Sequence, residues 1–422
     1  MEASSSTSSA SGGDAMLRVN QWFEYLTGYH EPEWRRLKED AKSEGLFRRH
    51  PDDEGSEGKG GLISEDVDGP NLIVKNLKTG KEFKAGAFST PSLEQLRSEV
   101  EALASSASRS AGDRSPVEFH ILTRKDSESY ECVDVAALQA LPENRFATFQ
   151  VASNFNGVEA IADSIPPDSP SFTEGYYMDR TQGPAASISA GAAAIARVHA
   201  AFWHEAKTVE EWAQTSDRQV EFLEKLREHF PTRNGYVTLR GREPPFPAEE
   251  SEERADLLKL GRVGVHKNVQ VTTGHRSAGL RLVNDPEQVV DQVFCAALNI
   301  GQGFSGAQNT RTADCASKCQ FILDLAYEGT YLAAIRNRRK RLFLTLIGGG
   351  VFGNRPEWIH RAILNAHLKY ANHPSSCLEE VVLVLFSPSD VYRKFGEWLR
   401  DAAVPYKWFE CRKGKKHLVM QE

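Results

Sequence analysis

The run Leu342–Asn354 (LFLTLIGGGVFGN) constrains the fold more than any other part of the chain. Leu342–Ile347 has the length and apolar character of a buried strand. It enters Gly348-Gly349-Gly350-Val351-Phe352-Gly353-Asn354 directly, and Pro356 then stands where a first helical turn tolerates a missing N–H. Trp358, Ile359, Ala362, Ile363 and Ala366 follow at helical spacing. A strand, a glycine-rich turn and a helix start aim backbone N–H groups at one point, which makes an anion site. Glycines let the backbone approach a diphosphate with no side chain in the way. A tight turn that binds nothing is the alternative, and four glycines in six residues favour the ligand loop.

Around this run the pattern alternates. Strands are expected at Asn71–Asn76 and Phe83–Phe88, a hairpin with Gly80 in its turn, and at Val117–Thr123, Arg145–Ala152, Asn268–Thr273 and Glu380–Phe386. Helices are expected over Leu17–Ala41 in two segments, Pro91–Leu103 with Ser92 as cap, and Val133–Leu141. Further helices are expected over Pro184–Trp203, Val209–His229, Pro286–Ala297, Ala316–Arg336, Pro356–Tyr370 and Ser389–Ala402. Alternating strands and helices predict an α/β fold, a three-layer α/β/α sandwich with a mixed sheet. The expected organisation is a disordered tail over 1–16, a small α+β module over 17–103, a low-complexity linker over 104–116 and the main domain over 117–422. An insertion at about 204–262 interrupts the last.

A formal net charge of -7 argues against a general nucleic-acid binder, whose footprint is basic. No apolar run has the length of a membrane helix, and the Ser-rich N-terminus lacks the apolar core of a signal peptide. Of the six cysteines only Cys315 and Cys319 are close, without a second pair or a histidine cluster. The sequence therefore calls for no metal and no cofactor, and its scattered thiols point to an intracellular protein, cytoplasmic or nuclear. Arg336–Arg341 (RNRRKR) reads either as a polyanion patch or as a solvated helix end, and the second is favoured. His266 and His275 flank the strand at Val269–Thr273, where structural roles are the usual ones.

Leu344–Asn354, the helix after it and Val381–Phe386 (VVLVLF) together resemble the final third of a macro domain, the ADP-ribose-binding superfamily. The resemblance implies that Gly348, Gly349, Gly350, Val351, Phe352, Gly353 and Asn354 form the diphosphate loop, with Phe352 on the distal ribose and Phe386 near the adenine. Val151-Ala152-Ser153-Asn154 stands where the family has Asn-Ala-Ala-Asn, so Asn154 is the implied ribose ligand, with Asn156 as a neighbour. Cys132-Val133-Asp134-Val135 stands where the family has Gly-Asp-Ile-Thr, which makes Asp134 the implied partner of the adenine amino group; a helix cap is the alternative. Gln182-Gly183-Pro184 opens the Ala-rich helix and is a second candidate phosphate contact.

The chain departs from the family where catalysis is concerned. The glycine run after the Asn tetrad is reduced to Gly157-Val158-Glu159, and no glutamate pair follows. Asp163, Asp168, Glu174 and Asp179 lie in the next loop. Cleaving an ADP-ribosyl bond needs a carboxyl group, and Glu159 is the candidate by position. Three readings stay open: a hydrolase of ADP-ribosyl linkages, a non-catalytic reader of ADP-ribosylated macromolecules, and a binder of another phosphorylated nucleotide.

Overall fold

The computed structural model describes residues 15–40, 46–49, 71–106, 116–179, 181–203, 209–276, 279–301, 303–386 and 390–421. The tail up to residue 14, the charged loop 51–61 and linker residues 107–115 lie outside them. The strands are β1 (Met16–Leu17), β2 (Phe47–Arg49), β3 (Leu72–Lys75), β4 (Glu82–Ser89), β5 (Glu118–Arg124), β6 (Thr148–Ala152), β7 (Thr232–Arg233) and β8 (Tyr236–Val237). They continue with β9 (Gly264–Gln270), β10 (Thr273–Arg276), β11 (Gly279–Leu282), β12 (Val289–Cys295), β13 (Arg341–Leu344), β14 (Glu380–Val384), β15 (Tyr406–Arg412) and β16 (Lys415–Gln421). The helices are α1 (Trp22–Thr27), α2 (Glu31–Asp40), α3 (Leu93–Ser106), α4 (Val135–Gln139), α5 (Gln182–Ser189) and α6 (Gly191–His199). After them come α7 (Glu252–Leu260), α8 (Gly303–Asn309), α9 (Cys315–Arg336), α10 (Pro356–Tyr370) and α11 (Asp390–Asp401).

One mixed sheet runs β16-β15-β5-β14-β13-β6-β12-β9-β4-β3-β2. Its centre, from β15 to β12, is parallel throughout, and its flanks are antiparallel. The parity of side chains along a strand separates the layers. Phe294 lies under the Arg197 guanidinium of α6, 3.7 Å from its ring centroid, whereas Cys295 points the other way and its Sγ bonds Ala326 O of α9 at 3.4 Å. Gln150 reaches Thr330 of α9, and Gln292 reaches Ala186 O of α5. α3 and α10 pack on α9, and α6 packs on β4 and β9. The molecule is the three-layer sandwich with a mixed sheet that the alternation predicts. Both faces of the central strands are covered, so every residue of β12 and all of β14 after Glu380 are buried.

Several expectations are corrected. Pro286–Ala297 is not a helix but contains β12: Val289, Val290, Val293 and Phe294 mimic a helical stripe, yet every residue of the strand is buried between two helical layers. Val209–His229 contains only short 3-10 turns; the buried Gln214 side chain ties it to other segments, donating to Asn156 O and Arg197 O, and accepts from Val220 N within it. The Ala-rich helix breaks at Ala190 into α5 and α6. The β15–β16 hairpin has no counterpart among the predicted elements. Residues 17–103 are continuous with the rest: β4 pairs with β9, α3 lies on α9, and Met16 and Leu17 pair with Arg281 and Leu280. α3 itself is capped as read, Ser92 and Gln95 exchanging reciprocal bonds.

The basic run 336–341 is spent on the fold. Arg339 grips the fully buried Asp291 side-on, with Nε–Oδ2 at 2.8 Å and Nη2–Oδ1 at 2.7 Å; Asn337 Nδ2 and Asn268 N complete its shell. Arg336 pairs with Glu99, Lys340 with Glu379 and Arg341 with Glu380. Arg339→Met strands a carboxylate inside β12 and is expected to cost about 3 kcal/mol. Urea unfolding of the variant checks this, and an unchanged midpoint contradicts it.

Candidate functional site

In open α/β sheets, ligands bind beyond the carboxyl ends of the parallel strands. Here four segments leave those ends together: 153–160 after β6, 296–301 after β12, 345–355 after β13 and 385–386 after β14. The glycine loop is fastened to its neighbour, not free. Ile300 N donates to Phe352 O at 2.9 Å, and Asn354 Nδ2 donates to Leu298 O at 2.8 Å. Gly348 has φ +74° and meets Ala297 so closely that an added Cβ would lie 2.5 Å from the Ala297 methyl. At Gly350, by contrast, an added Cβ meets nothing within 4 Å. Gly349, Gly350, Val351 and Gly353 are exposed, and Phe352 is half-buried with its ring 5.9 Å from that of Tyr236.

Glu159 sits across from this loop. Its Oε1 accepts from Ser187 Oγ of α5 at 3.4 Å, and its backbone N donates to Tyr176 Oη at 3.1 Å. α5 begins against it: a Cβ on Gly183 would fall 2.4 Å from Ala152 O and 3.2 Å from Glu159 Oε1, so only glycine brings this helix start onto the end of β6. Burial lifts the Glu159 carboxyl well above the ordinary carboxylate range, and the charge of Asp179 adds to the lift; Arg197 and the Ser187 hydroxyl oppose it. Tyr236 donates to Ala160 O at 2.6 Å, and burial, with Glu159 and Asp179 adding, raises its phenol.

A second cluster lies at the ends of β5 and β14. The Arg124 guanidinium stacks 4.3 Å from the Phe386 ring centroid, its Nε donates to Phe386 O, and Tyr130 meets the Phe386 edge at 5.5 Å. Tyr130 Oη and Asp134 Oδ2 both contact His275 Nδ1, at 2.9 and 3.0 Å. Hydrogen bonding to Asp134 raises the His275 pKa. Gln182 joins the two clusters by accepting from Val135 N at 3.0 Å, beside Asp134 and at the start of α5. A cavity of about 510 Å³ opens next to the second cluster on the sheet face, lined by Leu122, Cys132, Leu138, His275 and Phe343, away from Glu159.

The sequence candidates thus divide. Gly349, Gly350, Val351, Gly353 and Phe386 are exposed and Glu159 and Phe352 half-buried near these strand ends, whereas Gly183 is buried against the end of β6. Asp134 is fully buried and caps α4, its Oδ1 accepting from Ala137 N. Asn154 is buried with Nδ2 on Ala160 O at 3.3 Å, and Asn156 is buried with Nδ2 on Gln219 at 2.9 Å. Asn354 is the strut to Leu298 already described. These four side chains make hydrogen bonds that hold the loops. His266 lies in the core against Arg197. The sequence reading did not single out Tyr236, Arg124, Tyr130 or Arg197. Tyr236 comes from the 204–262 insertion, where no spacing rule could place it. Asp179, noted only as one loop acid among four, opens the stretch Asp179–Pro184 that leads into α5, and its position before Gly183 was the available signal.

No family model and no curated protein matches the chain. Among solved structures, it is similar to poly(ADP-ribose) glycohydrolase from Deinococcus radiodurans in complex with ADP-ribose, at 15% identity and a TM-score of 0.36, over 75% of this chain and 94% of that one. It is also similar to the Thermomonospora curvata enzyme, at 15% identity and a TM-score of 0.39, over 78% and 93%. The same enzyme bound to the inhibitor ADP-HPD gives 16%, 0.40, 77% and 93%. The superpositions are too loose to carry the assignment of fold, which rests on the sheet order and layers described above.

Proposed function

We propose that the loops at these strand ends bind ADP-ribose and that the protein hydrolyses an ADP-ribosyl linkage. The observation that carries the reading is the meeting, at one end of the parallel sheet, of the exposed Gly349–Gly350 turn, the Gln182–Gly183 helix start and a carboxyl group held at high pKa. The exposed backbone at Gly350 and Val351 and the half-buried Gln182 end of α5 suit a diphosphate. The Arg124–Phe386 stack suits a flat base on one side, and Phe352 suits a ribose on the other. Glu159, whose carboxyl burial lifts well above the usual carboxylate range, gives its proton to the leaving oxygen as the bond to the distal ribose breaks. The Asp179 carboxylate, on the neighbouring loop, opposes the positive charge that develops on the sugar or takes the proton of the attacking water. With Glu159 as the acid, turnover is present below its raised pKa and falls as pH rises through it; a pH–rate profile lacking a basic limb contradicts this role.

Calorimetry with ADP-ribose, AMP and ribose 5-phosphate tests the binding. ADP-ribose is expected to bind at micromolar concentration and at least about tenfold more tightly than either half, because only the whole molecule spans both clusters. Equal affinity for AMP and ADP-ribose would reduce the site to a nucleotide pocket, the third reading.

A further inference from the structure

Arg197 is 1% exposed, and among the described residues no carboxylate lies within ion-pair distance of it. A buried guanidinium without a carboxylate is costly, so its partners are informative. Nε donates to Gly157 O at 3.0 Å, two residues before Glu159. Nη1 contacts His266 Nδ1 at 3.1 Å, and Nη2 donates to Ser187 Oγ at 3.4 Å. The Phe294 ring covers the guanidinium face. His266 is held neutral, by burial first and by Arg197 next, and its Nδ1 is the acceptor. The cation therefore has neutral neighbours on every side, and the one acidic side chain beyond them is Glu159, reached through Ser187.

We infer that Arg197 is a positioning residue that fixes, through Ser187, which oxygen of the Glu159 carboxyl carries the proton. The proposal rests on the catalytic reading of Glu159. A guanidinium never gives up its proton at working pH, so Ser187 Oγ always accepts from Nη2. Its single hydrogen is left to point at Glu159 Oε1. Oε1 is thereby kept as an acceptor against α5, and the proton of the neutral acid resides on Oε2. The same cation counters the burial of Glu159 and the charge of Asp179; Tyr176 and Tyr236 are the other titratable groups beside Glu159.

The test follows the Glu159 carboxyl carbon by 13C NMR in the full chain, the signal being identified by its loss in Glu159→Gln. Arg197→Met should move the Glu159 midpoint upward by at least about one pH unit, and Ser187→Ala should move it upward by less. Arg197→Lys, which keeps the charge but not the fork, should leave the midpoint near that of the wild type. In turnover, Arg197→Met should lower kcat about tenfold with KM unchanged and carry the basic limb to higher pH. If Arg197→Met does not fold, Ser187→Ala decides. An unmoved Glu159 midpoint in folded Arg197→Met, or in Ser187→Ala when Arg197→Met fails to fold, overturns the proposal. A wild type that shows the coupled titration but neither binds nor cleaves ADP-ribose would overturn the functional reading and leave the relay standing.

Discussion

Glu159→Gln is expected to lower turnover of an ADP-ribosylated substrate by about 10² to 10⁴ while ADP-ribose binds with nearly wild-type affinity. The amide matches the carboxylic acid in size and still accepts from Ser187 Oγ through its own oxygen, so the Gly183–Ala152 contact and the start of α5 stay in place. What the amide lacks is a transferable proton. Since burial raises the Glu159 carboxyl well above the usual carboxylate range and so favours its neutral form, a neutral amide is a close electrostatic match. The loss should therefore fall on kcat with KM preserved. If the wild type itself binds ADP-ribose without turnover under any linkage offered, the reader hypothesis takes over.

Gly350→Glu is expected to abolish ADP-ribose binding and leave the melting temperature within about 2 °C of wild type. Space for the side chain exists, since a Cβ at this position meets no atom within 4 Å and the residue is not in the left-handed region. A carboxylate about 4 Å from one phosphate charge costs about 4 kcal/mol at an effective dielectric of about 20. Two such charges, even half-screened, remove about three orders of magnitude in affinity. Gly348→Ala provides the contrast. Its φ of +74° and the 2.5 Å approach to Ala297 make it a folding defect, so its loss of binding would be accompanied by loss of stability. Affinity retained in folded Gly350→Glu would mean that the loop does not hold the diphosphate.

Legibility in the sequence followed the range of the interactions. β13, the glycine loop and α10 are set by neighbours in the chain, and the predicted helix bounds Pro356–Tyr370 match those of α10. The β3–β4 hairpin and the Ser92 cap were legible for the same reason. β12 was misread because a strand buried on both faces loses its period of two, and its valines then fall by chance into helical register. The continuity of residues 17–103 with the main sheet depends on the pairing of Ala87 with Lys267, far apart in sequence, and no local signal announces it. The site divides in the same way. Gly183, Glu159 and the loop glycines were singled out from local chemistry, and their functional roles are the proposal made above. Asp134, Asn154 and Asn156 were placed by motif, and the motif does not say whether a side chain turns outward; here each is enclosed by later segments, Asn154 beneath Gly235 and Tyr236. Arg197 sits in a helix that reads as plain Ala-rich packing, and its meaning depends on Gly157, Ser187 and His266 being folded around it.

The central claim is that one ligand spans the glycine loop and the start of α5. Hydrogen exchange followed by mass spectrometry, with and without ADP-ribose, tests it most directly. Slowed exchange is predicted in peptides covering 346–355 and 181–187 together, with no change in the β15–β16 hairpin at 406–421. Protection confined to other segments, or to only one of these two, would contradict it.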